Sequence, residues 1–355
     1  MSIRSVITGS GSSIAPNLVT NDMLSRIMDT SDRWIRERTG VETRYFVDKG
    51  TSTTDLGVDA ATKALEHAGV SRDDIDMVVF ATMTPDHYFP GCGGLLQTRM
   101  GLRQVPCFDI RQQCSGFLYG LQLADAQIRA GVAKTVLFVG AEVHSGFMPW
   151  SEHCWARLYG QHDEPLSETE VEVNTKTRNL SVLFGDAAAA VVIQAQPTEA
   201  RGVIDAILGA DGSGADKLYV PGVGFKHRPF VDANQLNTFQ HFPVMEGQAV
   251  FKVATSTMAQ VAQTILARNG LTTADVKMVL MHQANRRINE FVQRMLSLPD
   301  DKVVHNINRY ANTTSATIPL LWDEVARDGR IQPGDLVLCV GFGAGMTWGA
   351  TLVRA

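Results

Sequence analysis

Charge is in short supply in this chain: 19% of its 355 residues are ionic, and 32 Lys plus Arg against 37 Asp plus Glu leave a net charge of -5. No basic stripe exists that could neutralise phosphates along a duplex, so nucleic acid is not an expected partner. Long hydrophobic runs are missing too. No apolar stretch approaches the ~18 residues that a membrane-spanning helix needs, and the opening MSIRSVITGSGSS lacks the apolar block of a signal peptide. A cytoplasmic protein without a membrane span is expected. Cysteine is sparse: Cys92, Cys107, Cys114, Cys154 and Cys339 are odd in number and form no CxxC pair. That pattern excludes a disulfide framework and a thiolate zinc site, and most of the five are expected as small buried hydrophobes. What the chain does have is 45% hydrophobic residues, enough for a core and incompatible with disorder as its main state. Its length suggests about two domain-sized units or one large fold made of two halves.

The sequence repeats itself, and a repeat constrains architecture more firmly than propensity does. TDLGVDAATKALEHAG, the loop VSRDDID and the strand MVVFATM are answered later by VFKVATSTMAQVAQTILARNG, LTTADVK and MVLM. Gly69 and Gly270 sit where each helix would end in a left-handed residue. The correspondence continues at one constant offset: Met77 and Val136 in the first copy answer to Met278 and Val337 in the second. Between those strands each copy carries an amphipathic helix, LYGLQLADAQIRAG or ATIPLLWDEVARDG. Alternation of this kind predicts a duplicated α/β fold, with residues 1–200 and 201–355 as two packed halves and a mostly parallel sheet covered by helices on both faces.

Two stretches have no counterpart and are expected as insertions. Residues 142–180 carry His144, Trp150, His153, Cys154, Trp155, Tyr159 and His162, then the acidic run EPLSETEVEVN. Residues 222–245 are rich in Pro, Phe, His and Asn. Such segments are commonly lids or partner-contacting loops, although the acidic part is expected as a solvated excursion.

The residues that can carry chemistry lie at element ends. Cys114, in DIRQQCSGFLYGL, follows the strand-like CFDI and precedes a helix, where the helix dipole and unsatisfied N–H groups favour a thiolate. His282, in MVLMHQANRRINE, stands where an apolar strand ends, the place where ligands bind in α/β sheets. Asn312, in NRYANTTSATIPL, occupies the loop that corresponds to the Cys114 loop. The glycines of CVGFGAGMTWGA have the wrong spacing for a dinucleotide loop. A turn that presents N–H groups to a developing oxyanion suits them better. Cys, His, Asn and such a turn fit a cysteine peptidase or another acyl-transfer enzyme.

DTSDRWIRERTG, QCSGF, FGDAAAA, HQANRRI, NTTSATIP and GFGAGMTWG, in that order along nearly the whole chain, resemble the β-ketoacyl-acyl carrier protein synthase III family of the thiolase superfamily. The resemblance implies an α/β thiolase-like fold of two pseudo-repeated halves in five αβαβα layers. It also implies a decarboxylative Claisen condensation of an acyl-CoA starter with malonyl-acyl carrier protein, giving a 3-oxoacyl-acyl carrier protein through an acyl-Cys intermediate. Cys114 then matches the nucleophile, and His282 with Asn312 match the pair that stabilises the malonyl enolate. The N–H groups of Cys114 and Ala344 match an oxyanion hole, and Phe342 an apolar neighbour of the departing carboxylate. Trp34 and Arg178 match a clasp on the adenine of coenzyme A, Arg38 another coenzyme A contact, and Asn285 a wall of the pantetheine tunnel. Lys252 and Arg287 match a docking patch for the acidic carrier. The family also implies a homodimer and no metal or redox cofactor, coenzyme A thioesters being substrates.

Departures from the family pattern are visible. Ala344 stands where glycine is frequent, and 142–180 looks longer than in typical members. The aromatics Trp150, Trp155 and Tyr159 are therefore expected to shape the acyl pocket. Tyr88 and Phe89 fall where one subunit reaches into its partner's acyl pocket. Relatives that join two acyl chains head to head carry a Glu base there, and this chain has none. A starter-condensing or acyl-transferring relative of polyketide or quinolone type is the alternative. A non-catalytic subunit fits less well, because Cys114, His282 and Asn312 are all present.

Overall fold

The computed structural model describes residues 3–355. Strands β1 (Ile3–Ile14), β2 (Met77–Ala81), β3 (Cys107–Ile110), β4 (Thr135–Glu142) and β5 (Ala187–Pro197) form one sheet, in the order β1-β5-β4-β2-β3. Strands β6 (Gly202–Ala210), β7 (Met278–Met281), β8 (Leu336–Gly343) and β9 (Thr347–Arg354) form a second, in the order β7-β8-β9-β6. Every residue of β4 and β8 is buried, as expected of strands covered on both faces.

The repeat is present in three dimensions. Met77 pairs with Val136 and Met278 with Val337, both in parallel register, and β2-β4-β5-β1 of the first sheet answers β7-β8-β9-β6 of the second. The sheets are mixed, however, and not mostly parallel. β2 pairs parallel with β3 and β4, but β5 runs antiparallel to both β4 and β1. In the second sheet only β7 and β8 run parallel. The β8–β9 connection is the short turn Ala344–Met346, and a connection that short can join only antiparallel neighbours.

Helices α1 (Thr53–Ala68) and α2 (Cys92–Met100) pack on the outer face of the first sheet, and α3 (Gly116–Arg129) lies on its inner face. Helices α4 (Gly247–Arg268) and α5 (Arg286–Met295) cover the outer face of the second sheet, and α6 (Thr317–Arg327) joins α3 between the sheets. Five layers result, αβαβα. The central one is apolar on both sides, with Phe117, Leu121, Leu321 and Trp322 meeting residues from both sheets.

The acidic part of 142–180 is largely solvent-exposed, as expected, but much of it is helical. Ser151 caps the helix Glu152–Leu158, and Ser167 caps Glu168–Ser181 through a capping box with Glu170. The acidic run thus supplies a first helical turn, where negative charge complements the helix dipole. In 222–245, Asp232 caps the short helix Ala233–Asn237, and Val244–Met245 pairs with Leu218–Tyr219. No helix among the described residues is long and apolar enough to cross a membrane.

Candidate active site

Cys114 lies in a single 3-10 turn, Gln113–Ser115, which runs into α3. Its counterpart Thr314–Ala316 runs in the same way into α6. The turns share an unusual feature: Gln113 and Thr314 adopt positive φ angles of 43° and 48°, strained for residues with a side chain. In this pseudo-symmetric frame Ser315 answers Cys114, and Arg111 answers Asn312. Gly343 brings the end of β8 against the cysteine, where a Cβ would come within 3.0 Å of the Cys114 nitrogen. The backbone N–H groups of Cys114 and Ala344 lie near the Cys114 sulfur and act to lower its pKa.

Burial is the largest influence on that sulfur and pushes its pKa up to about 12; the nearby Glu142 carboxylate acts in the same direction, and the two N–H groups oppose them. Burial therefore opposes the thiolate that the helix start and the N–H groups favour. His282 closes β7, is buried, and is held neutral by that burial, its pKa lowered to about 3. Its Nδ1 lies 2.6 Å from the Thr317 hydroxyl, and its Nε2 has no partner. Asn312 is anchored by its backbone between Leu183 and Gly185. Its Oδ1 accepts from the Thr314 N–H at 2.8 Å, which commits the oxygen and leaves the amide NH2 as the donor end.

Cys114, His282, Asn312, Phe342, Ala344 and Asn285 line one cavity of about 510 Å³. Beyond Asn285, whose amide donates to the Arg38 carbonyl at 2.9 Å, Trp34 lies between the guanidinium carbons of Arg38 and Arg178, 4.4 and 4.7 Å from its ring centre. Arg178 is also paired with Asp29. Lys252 and Arg287 are exposed on α4 and α5, each one residue from a cavity wall, Phe251 or Ile288. Tyr88 and Phe89 are exposed and stand outside the cavity of their own chain, where Tyr88 packs edge-on against Phe225 and Phe230 at 5.1 and 5.2 Å.

One expectation fails outright. Trp150, Trp155 and Tyr159 do not line the cavity; they pack with Phe46, Val19 and Ile27 in a separate cluster, and Trp150 and Trp155 meet the Phe46 ring at 6.1 and 5.7 Å. Of 142–180, only Phe147 reaches the cavity wall.

Several supporting residues escaped the sequence reading. Glu142 is fully buried beside the site, its carboxylate accepting from Thr82, Thr84 and Ser315 side chains and from the Met83 and Thr84 N–H groups. Burial raises its pKa to about 7 against those bonds. A glutamate closing an otherwise apolar strand was the available signal. His144 bridges the Gly185 carbonyl and the Thr314 hydroxyl, 2.8 Å from each, and stacks on Phe184; nothing in its sequence neighbourhood distinguished it. Among the described residues no cluster of three or more His, Cys, Asp or Glu is placed to hold a metal ion.

Comparison with known proteins bears directly on this arrangement. A family model described as 3-oxoacyl-[acyl-carrier-protein (ACP)] synthase III matches residues 108–161 and 166–212, and its C-terminal companion matches residues 266–355. The chain belongs to this family of condensing enzymes. The beta-ketoacyl-[acyl-carrier-protein] synthase III of Rhodospirillum centenum is 40% identical over the full length of both chains. That of Xanthomonas campestris is 41% identical over 99% of this chain and 98% of the relative. Among solved structures, the Thermus thermophilus synthase III aligns at a TM-score of 0.84 and 34% identity, covering 98% of each chain. The family match covers 142–180 except for 162–165, so most of that stretch is shared with the family.

Proposed function

We propose that the cavity condenses an acyl-CoA with malonyl-acyl carrier protein, Cys114 carrying the acyl group between half-reactions. What supports this reading most is that Cys114, the His282 ring, the Asn312 side chain and the Ala344 turn line one cavity, with the Asn312 amide NH2 left free to donate. In the first half-reaction the Cys114 sulfur attacks the thioester carbonyl, its proton passes to the departing coenzyme A sulfur, and the carbonyl oxygen is held by the Cys114 and Ala344 N–H groups. In the second, Asn312 and His282 donate to the malonyl thioester oxygen as carbon dioxide leaves. The resulting carbanion attacks the acyl carbonyl, the carbon–sulfur bond breaks with Cys114 leaving as thiolate, and the thiolate takes up one proton from solvent.

Phe342 is buried beside the reacting atoms and disfavours the carboxylate that is lost. Trp34, Arg38 and Arg178 hold the nucleotide end of coenzyme A, Asn285 its pantetheine arm, and Lys252 with Arg287 the carrier. The active form is a homodimer in the cytoplasm, with Tyr88 and Phe89 presented to the partner subunit, and no cofactor takes part. Intact-mass spectrometry after exposure to an acyl-CoA panel tests the reading. One acyl group should appear on the wild type and none on Cys114→Ser; an adduct on both would overturn it.

A further inference from the structure

We propose that Arg111 makes this cavity selective for acyl-CoA starters whose chain ends in a carboxylate. The proposal rests on the acyl-transfer reading above and concerns the stretch of cavity wall that Arg111 supplies. Arg111 precedes Cys114 by three residues and lines the same cavity, in which it is the only Lys, Arg, Asp or Glu among the described residues. It makes no ion pair or side-chain hydrogen bond among the described residues; its guanidinium carbon instead lies 5.5 Å from the centre of the Tyr88 ring.

Its position is set by the fold. Arg111 occupies the place that Asn312 occupies in the other half, ahead of a turn with the same positive φ, so this wall presents a side chain toward the site in both halves. The surroundings sharpen the chemistry. Met83, Phe147, Leu218 and Val220 give the cavity an apolar body, suited to methylene groups, while Gln113 and Arg111 add donors on one side. The cations expected for coenzyme A, Arg38 and Arg178, cluster at Trp34 beyond Asn285, whereas Arg111 lies under Tyr88. A guanidinium fork matches a carboxylate in planar, two-point geometry.

The plainer account is a solvated cation on the rim, since Arg111 is exposed. Such a cation would be indifferent to the end of the acyl chain. The malonyl carboxylate is a second anion that could meet Arg111, so the deciding measurement uses the acylation half-reaction alone, with no malonyl substrate present.

Initial rates of Cys114 acylation are compared for adipyl-CoA against hexanoyl-CoA, and for suberyl-CoA against octanoyl-CoA, pairs matched in carbon number. The wild type should favour the carboxylated member of at least one pair by about tenfold or more, the scale of one charge-assisted hydrogen bond. Arg111→Met should lower that ratio by a similar factor, Arg111→Lys should retain part of it, and added salt should weaken it. A wild type that favours the uncharged chain in both pairs, or a ratio unmoved in Arg111→Met, overturns the proposal. The wild-type ratio decides by itself if the variant does not fold. Loading without preference removes only this proposal; no loading by any acyl-CoA removes the acyl-transfer reading as well.

Discussion

His282 places its Nδ1 2.6 Å from the Thr317 hydroxyl, and the same hydroxyl lies 3.0 Å from the Thr314 carbonyl oxygen. A threonine hydroxyl has one proton. Given to Thr314, it leaves Nδ1 as donor and Nε2 as a bare acceptor; given to His282, it leaves an Nε2–H available to the cavity, the form that stabilises an enolate oxygen. Thr317 therefore selects which tautomer His282 presents.

Thr317→Val keeps the shape and removes the choice. Malonyl decarboxylation should fall by roughly 10²-fold, the scale of losing one oxyanion donor, while Cys114 acylation falls much less. Thr317→Ser should restore most of the loss, and His282→Ala and Asn312→Ala should show the same imbalance between half-reactions. Both half-reactions falling equally in Thr317→Val would show that the residue serves packing alone.

The resting state of the nucleophile gives a pH prediction. With its pKa pushed up to about 12, the Cys114 thiol is protonated at neutral pH, and its thiolate fraction grows as pH rises toward that value. Alkylation of the Cys114 peptide by iodoacetamide should accelerate roughly tenfold per pH unit above neutrality. A rate that levels off near neutral pH would mean that the helix start and the N–H groups outweigh burial.

Much of this architecture was legible because the duplication is regular. The offset that links Met77 to Met278 also carries the turn around Cys114 onto the turn around Thr314, down to the positive φ at Gln113 and Thr314. The same offset makes the loop of Asn312 the counterpart of the Cys114 loop. Strand direction was not legible, since periodicity reports which faces are buried and not which way a covered strand runs. Glu142 was not legible as a support because its partners come from distant segments, Thr82 to Thr84 and Ser315. The aromatics of 142–180 were expected to shape the acyl pocket, and nothing in the sequence told Phe46 from an acyl chain as their partner.

That last point is testable. Trp150 is buried in the cluster around Phe46, with its ring centre 4.8 Å from that of Trp155. Trp150→Ala should destabilise the fold by about 3–5 kcal/mol, the usual cost of emptying a buried aromatic site, and leave the ranking of acyl-CoA substrates unchanged. Denaturant melts and acylation rates across a chain-length series check both halves. A changed ranking at unchanged stability would return these aromatics to the acyl pocket.

Carrier docking yields the most local electrostatic prediction. The chain is net acidic, yet Lys252 and Arg287 project from α4 and α5 beside the cavity with no ion-pair partner among the described residues. Arg286, their neighbour, is different: Glu290 neutralises it at 2.8 Å on the same helix. Between the helices Phe251 and Phe291 meet edge-on at 5.9 Å, and Phe291 is exposed, so the two free cations flank an apolar spot. An acidic carrier would meet charge first and apolar surface second, which makes association fast and salt-dependent. Lys252→Glu with Arg287→Glu should raise KM for the malonyl-carrier substrate by roughly tenfold or more, since reversal adds repulsion to lost attraction. KM for acyl-CoA should move much less, because its nucleotide end is expected at Trp34. Arg286→Glu should have the smaller effect, its charge being already compensated. High salt should narrow the gap between wild type and double variant. If the carrier's KM stays put, or if the acyl-CoA KM rises equally, the patch is not where the carrier docks.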